Sequence, residues 1–528
     1  MKSFFTFLFL SFIISSVSIG QDGKLETTFG TNGTKLISSG TGNAEILGIL
    51  KDGNSLIGVG FSRVGNFDKI AMVKMDLNGN MDATFGQNGL LTFPFGSGHA
   101  RASSIIQQPD GKYLVAGWAR YVNKDEYVII RLLQNGSLDS SFGTNGLAKG
   151  VFSNSSFAED EIAQIALLSD NKIVIAGRSY NGQNDDGFVA CFNTDGSLNK
   201  NFGTDGFLII EFDVIPPSES VRAFAIDKSD NIYLGGDVAT GFNTEDAFFI
   251  MKLNKDGVKD TSFGTNGVVT KVLSANIVAG LNTMEIDAKG RILTGGGAFD
   301  TDELDNNYFL TRYNPNGTPD MSFGQNGQVI LARSANESIS DLIVFPSGLI
   351  IAAGSTGGFP SSFAMVRLFE NGSQDMSFGT NGWSIEKITN DFNSIKSVVY
   401  SDGFIYAGGT SRVDPEWRMA FAKYKNKTTS STYDDLSNLF SSFNLYPNPT
   451  ANEINLSFDI NAEMSISISL NDIMGRTVQD FSLNQTKFNG NNNLNLQLLP
   501  SLLDGMYILN IHTSKGLFTR KIYVISEN

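Results

Sequence analysis

The stretch Phe142-Gly143-Thr144-Asn145-Gly146 occurs, with small changes, seven times in the 528-residue chain. The phenylalanines that open the copies are separated by 56, 57, 60, 61, 60 and 55 residues. A fixed period of this length indicates one supersecondary unit copied in series. We expect each of these phenylalanines to pack in the core, while the glycine allows a tight turn. They are Phe29, Phe85, Phe142, Phe202, Phe263, Phe323 and Phe378.

Each unit carries the signals of about four short strands. A strand with small residues follows a tight turn, as in 110–117, and an aromatic strand that ends in a basic residue comes next, as in 127–131. No window has a helical period long enough to compete. Four short antiparallel strands per repeat are typical of a propeller blade, whereas solenoid coils are usually shorter and need caps. The sequence therefore predicts an all-β, seven-bladed β-propeller over residues 21–425.

The two ends of the repeat region look like halves of one unit, as a closed ring requires. In most units a cation precedes an acid by eight residues, and the intervening turn places the two side chains opposite each other. The last cation, Lys423, has no acid downstream, and the matching acid is Glu26 near the start. We therefore predict a Glu26–Lys423 contact that closes the ring. The other pairs are Lys74 with Asp82, Arg131 with Asp139, Lys252 with Asp260, Arg312 with Asp320, and Arg367 with Asp375; one unit has Cys191 and Asn199 instead.

The N-terminus and the composition indicate an exported chain. Residues 1–20 have a basic start at Lys2, an apolar stretch over 4–14 and small residues at Ser18 and Gly20, which predicts a signal peptide. No other segment is apolar enough to span a membrane. The formal net charge of -15 argues against a nucleic-acid partner. The single cysteine excludes an intramolecular disulfide.

The C-terminal segment differs in composition. Residues 426–440 read as a linker, and short alternating strands over 441–528 predict a small Ig-like β-sandwich. Its ordered motifs contain Tyr446, Pro447, Asn448, Pro449, Gly475, Arg476, Gly505, Tyr507 and Lys521. Through these motifs the segment resembles the C-terminal sorting domain of the type IX secretion system. That resemblance implies contact with the secretion machinery, a Bacteroidota-type outer membrane, and release or surface attachment of the cargo after the domain is removed.

The repeats themselves, through 138–146 and its copies, resemble the delta-60 repeat family. This resemblance implies a propeller-like protein of the bacterial surface or a secreted one, and it implies no agreed biochemical activity.

The sequence offers little for catalysis. The two histidines, His99 and His512, lie in different predicted domains, so no catalytic residue, metal site or cofactor site is predicted. An acidic residue precedes the aromatic strand in most repeats, and ring closure would bring these acids to one rim. Turn chemistry and solvated charge explain such acids, and calcium or glycan binding is the functional alternative. They are Asp68, Asp125, Asp185, Asp246, Asp305 and Asp414.

A second candidate site consists of polar residues that differ between otherwise similar units. They precede the strand that leads to each tight turn, and they are Arg101, Glu161, Arg222, Asn282, Glu337 and Lys396. An enzyme needs unique residues at one place, whereas the acids here are mostly repeated from unit to unit. We therefore favour a non-enzymatic binding module for a glycan or protein ligand, and we expect it to be a monomer. A carboxylate-dependent enzyme acting on polysaccharide and a structural surface-layer component are the alternatives.

Overall fold

The structure is a computed structural model of the chain. It describes residues 22–38, 42–153, 155, 158–212, 219–238, 247–273, 277–333, 336–426, 440–471, 477–481, 487–500, 502–513 and 516–525. Within these ranges every regular element is a β-strand, which confirms the all-β prediction. The predicted signal peptide, linker residues 427–439, Asp246, Gly475 and Arg476 lie outside them. The predicted domain boundaries stay predictions.

The repeat region is built from strands of four to ten residues. In chain order they are β1 (Thr34–Ile37), β2 (Ala44–Asp52), β3 (Ser55–Val64), β4 (Phe67–Asp76), β5 (Leu90–Phe93), β6 (Ala100–Gln107), β7 (Tyr113–Tyr121), β8 (Lys124–Leu132), β9 (Leu147–Gly150), β10 (Glu159–Leu167), β11 (Ile173–Tyr180), β12 (Asp185–Phe192), β13 (Phe207–Ile210), β14 (Glu219–Ile226), β15 (Ile232–Val238), β16 (Ala247–Leu253), β17 (Val268–Lys271), β18 (Ile277–Ile286), β19 (Ile292–Asp300), β20 (Asp305–Tyr313), β21 (Gln328–Leu331), β22 (Ser338–Val344), β23 (Ile350–Thr356), β24 (Ser362–Leu368), β25 (Trp383–Glu386), β26 (Asn393–Ser401), β27 (Phe404–Val413) and β28 (Glu416–Lys425).

These strands pair into four-stranded antiparallel groups. β2–β5, β14–β17, β18–β21 and β22–β25 are separate sheets. β6–β9 and β10–β13 are two further groups, and a single parallel bridge between Asp125 and Glu159 joins them into one eight-stranded sheet. In each of these groups the chain moves outward strand by strand from the first to the fourth.

The last group takes its fourth strand from the start of the chain, as the sequence predicted. Its order is β1-β28-β27-β26, and β1 pairs with β28 in antiparallel register. Before β1, the N–H of Glu26 donates to the carbonyl of Lys423 at 2.8 Å, and Leu25 bridges Tyr424. The N-terminal segment therefore completes the sheet that ends the repeat region.

The first strands of the groups lie next to one another in sequence order. β2 contacts β6, β6 contacts β10, and the series continues through β14, β18, β22 and β26, which contacts β2 again. These seven strands therefore enclose a common axis. The apolar core lies between neighbouring groups, as in the cluster that combines Phe29, Ile46 and Phe421.

The Phe-Gly turn connects each group to the next through a buried side chain and a backbone hydrogen bond. All seven phenylalanines are at most 1% exposed, which confirms the prediction that they are core residues. The N–H of Gly143 donates to the carbonyl of Asp195 in the following group at 2.7 Å. The φ of Gly143 is +51°, and a Cβ there would lie 2.3 Å from the carbonyl oxygen of Leu147. The turn therefore requires glycine both for its conformation and for its space.

The five predicted cation–acid pairs are confirmed. Their N–O distances are 3.6 Å for Lys74–Asp82, 2.8 Å for Arg131–Asp139, 2.9 Å for Lys252–Asp260, 2.8 Å for Arg312–Asp320 and 2.8 Å for Arg367–Asp375. The guanidinium of Arg131 also lies 4.7 Å from the ring centre of Phe142 and donates to the carbonyl of Thr194. The cation therefore holds the turn, the phenylalanine and the next group together.

The C-terminal segment forms a separate set of strands around one long strand. They are β29 (Phe440–Tyr446), β30 (Glu453–Asn471), β31 (Thr477–Phe481), β32 (Lys487–Gln497), β33 (Gly505–Thr513) and β34 (Gly516–Val524). The first part of β30 pairs with β29 and β32, and its last part pairs with β31 and β33. Its own core includes Leu456, Leu470, Leu509 and Ile522.

Candidate functional site

A β-bulge interrupts the first strand of every group at the same place. In each pairing with the second strand, one residue of the first strand has no partner, which is the signature of a bulge. This extra residue faces the common axis, and its side chain differs from group to group. The seven bulge residues are Leu47, Ser103, Ala163, Arg222, Asn282, Ser340 and Lys396.

A glycine of the second strand makes room for each bulge. A Cβ on this glycine would lie between 1.8 and 2.1 Å from a carbonyl oxygen of the first strand, so any other residue would displace the bulged strand. The seven glycines are Gly60, Gly117, Gly177, Gly236, Gly296, Gly354 and Gly409. The backbone of the site is therefore repeated, whereas its side chains are not.

The bulges surround a cavity of about 590 Å³, which we call the axial cavity. All seven first strands contribute to its wall. Serine is the most frequent polar residue there, and isoleucines of β2, β6 and β10 supply most of the apolar surface. The charged residues of the wall are Glu161, Arg178, Arg222, Asp341 and Lys396.

Side chains of the wall also connect neighbouring first strands. A first strand is an edge strand, so the N–H and C=O groups on its side away from the second strand lack a partner in the sheet. Side chains one group away satisfy several of them. Gln164 accepts from the N–H of Phe224 at 2.7 Å, Asp341 accepts from the N–H of Val398 at 2.8 Å, Asn282 donates to the carbonyl of Ile339 at 2.8 Å, and Ser103 donates to that of Ile162 at 2.5 Å.

Two carboxyl groups near the axis have raised pKa values. Burial raises the pKa of Asp341 to about 6, although the N–H groups of Val398 and Leu342 bond its two oxygens. Burial raises the pKa of Glu285, on β18, to about 8, and the charge of Asp341 adds to this shift. Burial therefore favours the protonated form of Glu285.

The axial cavity contains four of the six predicted ligand-face residues, namely Glu161, Arg222, Asn282 and Lys396. The other two lie elsewhere. Arg101 bonds Asp68 and lies over the ring of Phe61, whose centre is 4.1 Å away. Glu337 is fully buried and bonds the N–H of Arg333 and the hydroxyl of Thr356.

Sequence reasoning missed Leu47, Ser103, Ala163 and Ser340, because it did not recognise the bulge. The small-residue strand that ends in glycine was visible in every unit, and that glycine is the signal that could have revealed the bulge.

The predicted acidic rim residues are individually bonded in the structure. Asp68 is fully buried between Arg63 and Arg101, and Asp125 forms two bonds of 2.6 Å with Arg120. Asp185 pairs with Arg178 at 2.7 Å, Asp414 pairs with Arg412 at 3.0 Å, and Asp305 accepts from the N–H of Asn336 at 2.7 Å. Among the described residues, no group of three or more His, Cys, Asp or Glu side chains is arranged to hold a metal. This geometry favours a structural role for the acids.

His99 and the closing pair also have structural neighbours. The Nδ1 atom of His99 accepts from the N–H of Asp68 at 3.1 Å. Besides the backbone bond between Glu26 and Lys423, the carboxylate of Glu26 lies 3.9 Å from Lys425. The ammonium of Lys423 donates to the carbonyl of Leu77 in the next group at 3.0 Å.

The described sorting-motif residues lie on β29, β33 and β34 and in the segment that follows β29. Tyr446 ends β29 and is exposed, and Pro447, Asn448 and Pro449 follow it. Asn448 accepts from the N–H of Tyr523 on β34 at 2.9 Å. Gly505 begins β33, the hydroxyl of Tyr507 donates to the carbonyl of Leu503, and Lys521 is paired with Ile508 in register. His512, which lies on β33, is paired with Ser467 of β30 in register.

Two family descriptions match parts of the chain. Residues 444–525 match the family described as "Secretion system C-terminal sorting domain". Residues 108–142, 168–202, 228–263, 290–323 and 346–378 match "Domain of unknown function (DUF5122) beta-propeller". The chain is thus similar to exported proteins with a sorting tail and to β-propellers, and the tail supports secretion or a cell-surface location. Among the described residues, no helix has the length and hydrophobicity needed to cross a membrane.

Several solved structures resemble the chain at low sequence identity, and no curated protein matches it. A protein of unknown function from Dyadobacter fermentans is 10% identical, with a TM-score of 0.40, and the match covers 75% of this chain and 99% of that one. The polysaccharide lyase Uly1 is 10% identical, with a TM-score of 0.43 and coverages of 78% and 94%. A Trypanosoma rangeli sialidase in complex with sialic acid is 8% identical, with a TM-score of 0.37 and coverages of 94% and 90%. At this distance we draw no functional argument from them.

Proposed function

We propose that the protein is an exported, seven-bladed β-propeller of the delta-60 type that binds a small polar ligand in its axial cavity without catalysis. One observation carries the proposal. Seven first strands share one bulge and one glycine, yet the side chains that they place around the cavity range from Leu47 to Arg222. Equivalent backbone with unlike side chains is the arrangement expected of a specific pocket, because a purely structural repeat has no need for this diversity.

Export by the type IX route completes the proposal. The signal peptide would take the chain across the inner membrane of a Bacteroidota-type cell, and the Ig-like C-terminal domain would then engage the secretion machinery. After removal of that domain, the propeller would act as a monomer at the cell surface or in the medium. The match over residues 444–525 supports this route.

The polysaccharide-acting enzyme remains the second candidate from the sequence, but the cavity wall gives it little support. Glycoside hydrolysis needs two carboxyl groups free to act on the substrate. Of the two acids in the wall, Glu161 is bonded to Arg178 at 2.8 Å and Asp341 is bonded to two backbone N–H groups. The cavity therefore suits recognition better than cleavage.

The test is a glycan array on the repeat region, combined with an assay for the release of reducing sugar from every glycan that binds. We expect binding without sugar release. The Asp341→Asn variant should likewise bind glycan without releasing sugar. Release of sugar that is lost in Asp341→Asn or Glu161→Gln would instead establish the enzyme and contradict our proposal.

A further inference from the structure

The three cations in the wall of the axial cavity differ in their partners. Arg178 forms ion pairs with Glu161 at 2.8 Å and with Asp185 at 2.7 Å. Arg222 is bonded to the carboxylate of Asp237. Lys396, at the bulge of β26, has neither an ion pair nor a hydrogen bond from its side chain within the part of the chain that the structure describes. It is therefore the cation that remains available to a ligand.

Two acids on the strands that neighbour β26, Glu45 and Asp341, form no bond with Lys396 among the described residues. Glu45, on the neighbouring strand β2, interacts with Lys396 only through space, without a bond. Asp341, on the other neighbouring strand, uses both of its oxygens to accept backbone N–H groups at 2.8 Å. An ammonium group that is partly withdrawn from water gains most from a bonded anion. Lys396 thus lies in a partly enclosed space where a bound anion would accept hydrogen bonds from its ammonium group.

The rest of the wall indicates what kind of anion fits. None of the described residues that line the cavity is aromatic, so a neutral sugar ring would lack a flat apolar surface on which to stack. Hydroxyl groups for a polar ligand come from Ser104, Ser220 and Ser340. The hydroxyls of Ser103 and Ser397 are already bonded, to the carbonyl of Ile162 and to Asp341. The volume of about 590 Å³ admits a small molecule.

We infer that the axial cavity binds a small organic carboxylate, with Lys396 bonding the carboxylate and the serines bonding its hydroxyl groups. This inference rests on the proposed function and adds the class of ligand. An acidic sugar and a free hydroxy acid share this chemistry, and the experiment separates the two.

The test is titration calorimetry of the repeat region with D-glucuronate, D-glucose and D-glycerate at low ionic strength. We expect glucuronate to bind at least about tenfold more tightly than glucose, which corresponds to about 1.4 kcal/mol, since only glucuronate can form a charge-assisted bond with Lys396. Binding of glycerate as tight as that of glucuronate would assign the site to a hydroxy acid, and weaker binding would assign it to an acidic sugar. Either outcome supports a carboxylate site.

Three variants separate the role of Lys396 from general effects of charge. Lys396→Gln should lose at least about tenfold in affinity for the carboxylate that binds, whereas Arg222→Gln should lose less than threefold because Asp237 already holds Arg222. Lys255→Gln, on an exposed hairpin, should change nothing. Equal binding of glucose and glucuronate would overturn the inference but leave the proposed binding function intact. Absence of binding of all three probes at millimolar concentration, or unchanged affinity in Lys396→Gln, would overturn the inference as well.

Discussion

At the residue scale, Asp160 shows how a buried carboxyl group makes stability depend on pH. It is fully buried and accepts a 2.8 Å hydrogen bond from the N–H of Phe152, in the connection that leads to β10. Burial raises its pKa to about 6 from an ordinary 3.8. The folded state therefore binds the proton more tightly than the unfolded state. The equivalent residue of the last group, Asn393, fills this position without charge and accepts the N–H of Thr389.

We predict that Asp160→Asn stabilises the protein at neutral pH. Ionised Asp160 costs about 3 kcal/mol above pH 6, since each pKa unit corresponds to about 1.4 kcal/mol. This cost disappears as the pH falls from about 6 to about 4. Denaturant unfolding should therefore show a gain of up to about 3 kcal/mol at pH 7.5 and none at pH 4.

Asp139→Asn provides the matched control with the opposite sign. Burial acts against the charge of Asp139, but bonds from Ser141 and the charges of Arg131 and Lys112 hold its pKa well below its usual range. The amide should thus destabilise the protein at pH 7.5. If Asp160→Asn also destabilised it at pH 7.5, the cost assigned to the buried charge would be wrong.

At the scale of the element, the bulge depends on the glycine that faces it. In the pairing of β18 with β19, Gly296 lies opposite the bulge, and a Cβ on it would be 1.9 Å from the carbonyl oxygen of Gly280. We predict that Gly296→Ala destabilises the protein by at least about 1–3 kcal/mol, because the strands must separate to admit the methyl group. Thermal and denaturant unfolding measure this loss.

The control is Gly280, which lies on β18 opposite Gly297, the neighbour of Gly296. A Cβ on Gly280 would meet nothing closer than Asp237, whose nearest oxygen is 3.5 Å away. Gly280→Ala should therefore change the free energy of unfolding by no more than about 0.5 kcal/mol. Equal effects of the two substitutions would mean that loss of backbone freedom, and not the fit of the bulge, determines the result.

The same element explains how far sequence reasoning could reach. The phenylalanines and the five ion pairs were predicted correctly because the same residues recur in successive repeats. The exception supports the pairing, since Cys191 and Asn199 replace both charges of one pair together. The bulge is harder to read, since one extra residue reverses the alternation of faces. Arg222, Asn282 and Lys396 are bulge residues, whereas Arg101 and Glu161 lie two positions earlier. The sequence analysis therefore grouped residues from different positions of the first strand as one candidate site.

At the scale of the whole molecule, the N-terminal segment is the part that joins the two ends of the array. Phe29 is fully buried and packs against Tyr406 in the last group, with their ring centres 6.4 Å apart. Asp22 forms an ion pair of 2.8 Å with Arg367, and its carbonyl accepts the N–H of Gly379. The segment thus contacts the last two groups before β1 pairs with β28. An open array would lack these contacts and would expose the edge of β28.

We predict that a variant without residues 22–37 loses more stability than any single Phe→Ala change in a Phe-Gly turn, which should itself cost about 3–5 kcal/mol. The exposed edge of β28 should also make the variant prone to association. A synthetic peptide of residues 22–37, added in trans, should raise the midpoint of thermal unfolding with the logarithm of its concentration once it exceeds the dissociation constant, and a scrambled peptide should not, because only the native order restores Phe29 and the register of β1. An unchanged midpoint after the deletion would mean that the repeats hold together as an open array, and it would remove the basis for a closed seven-bladed ring.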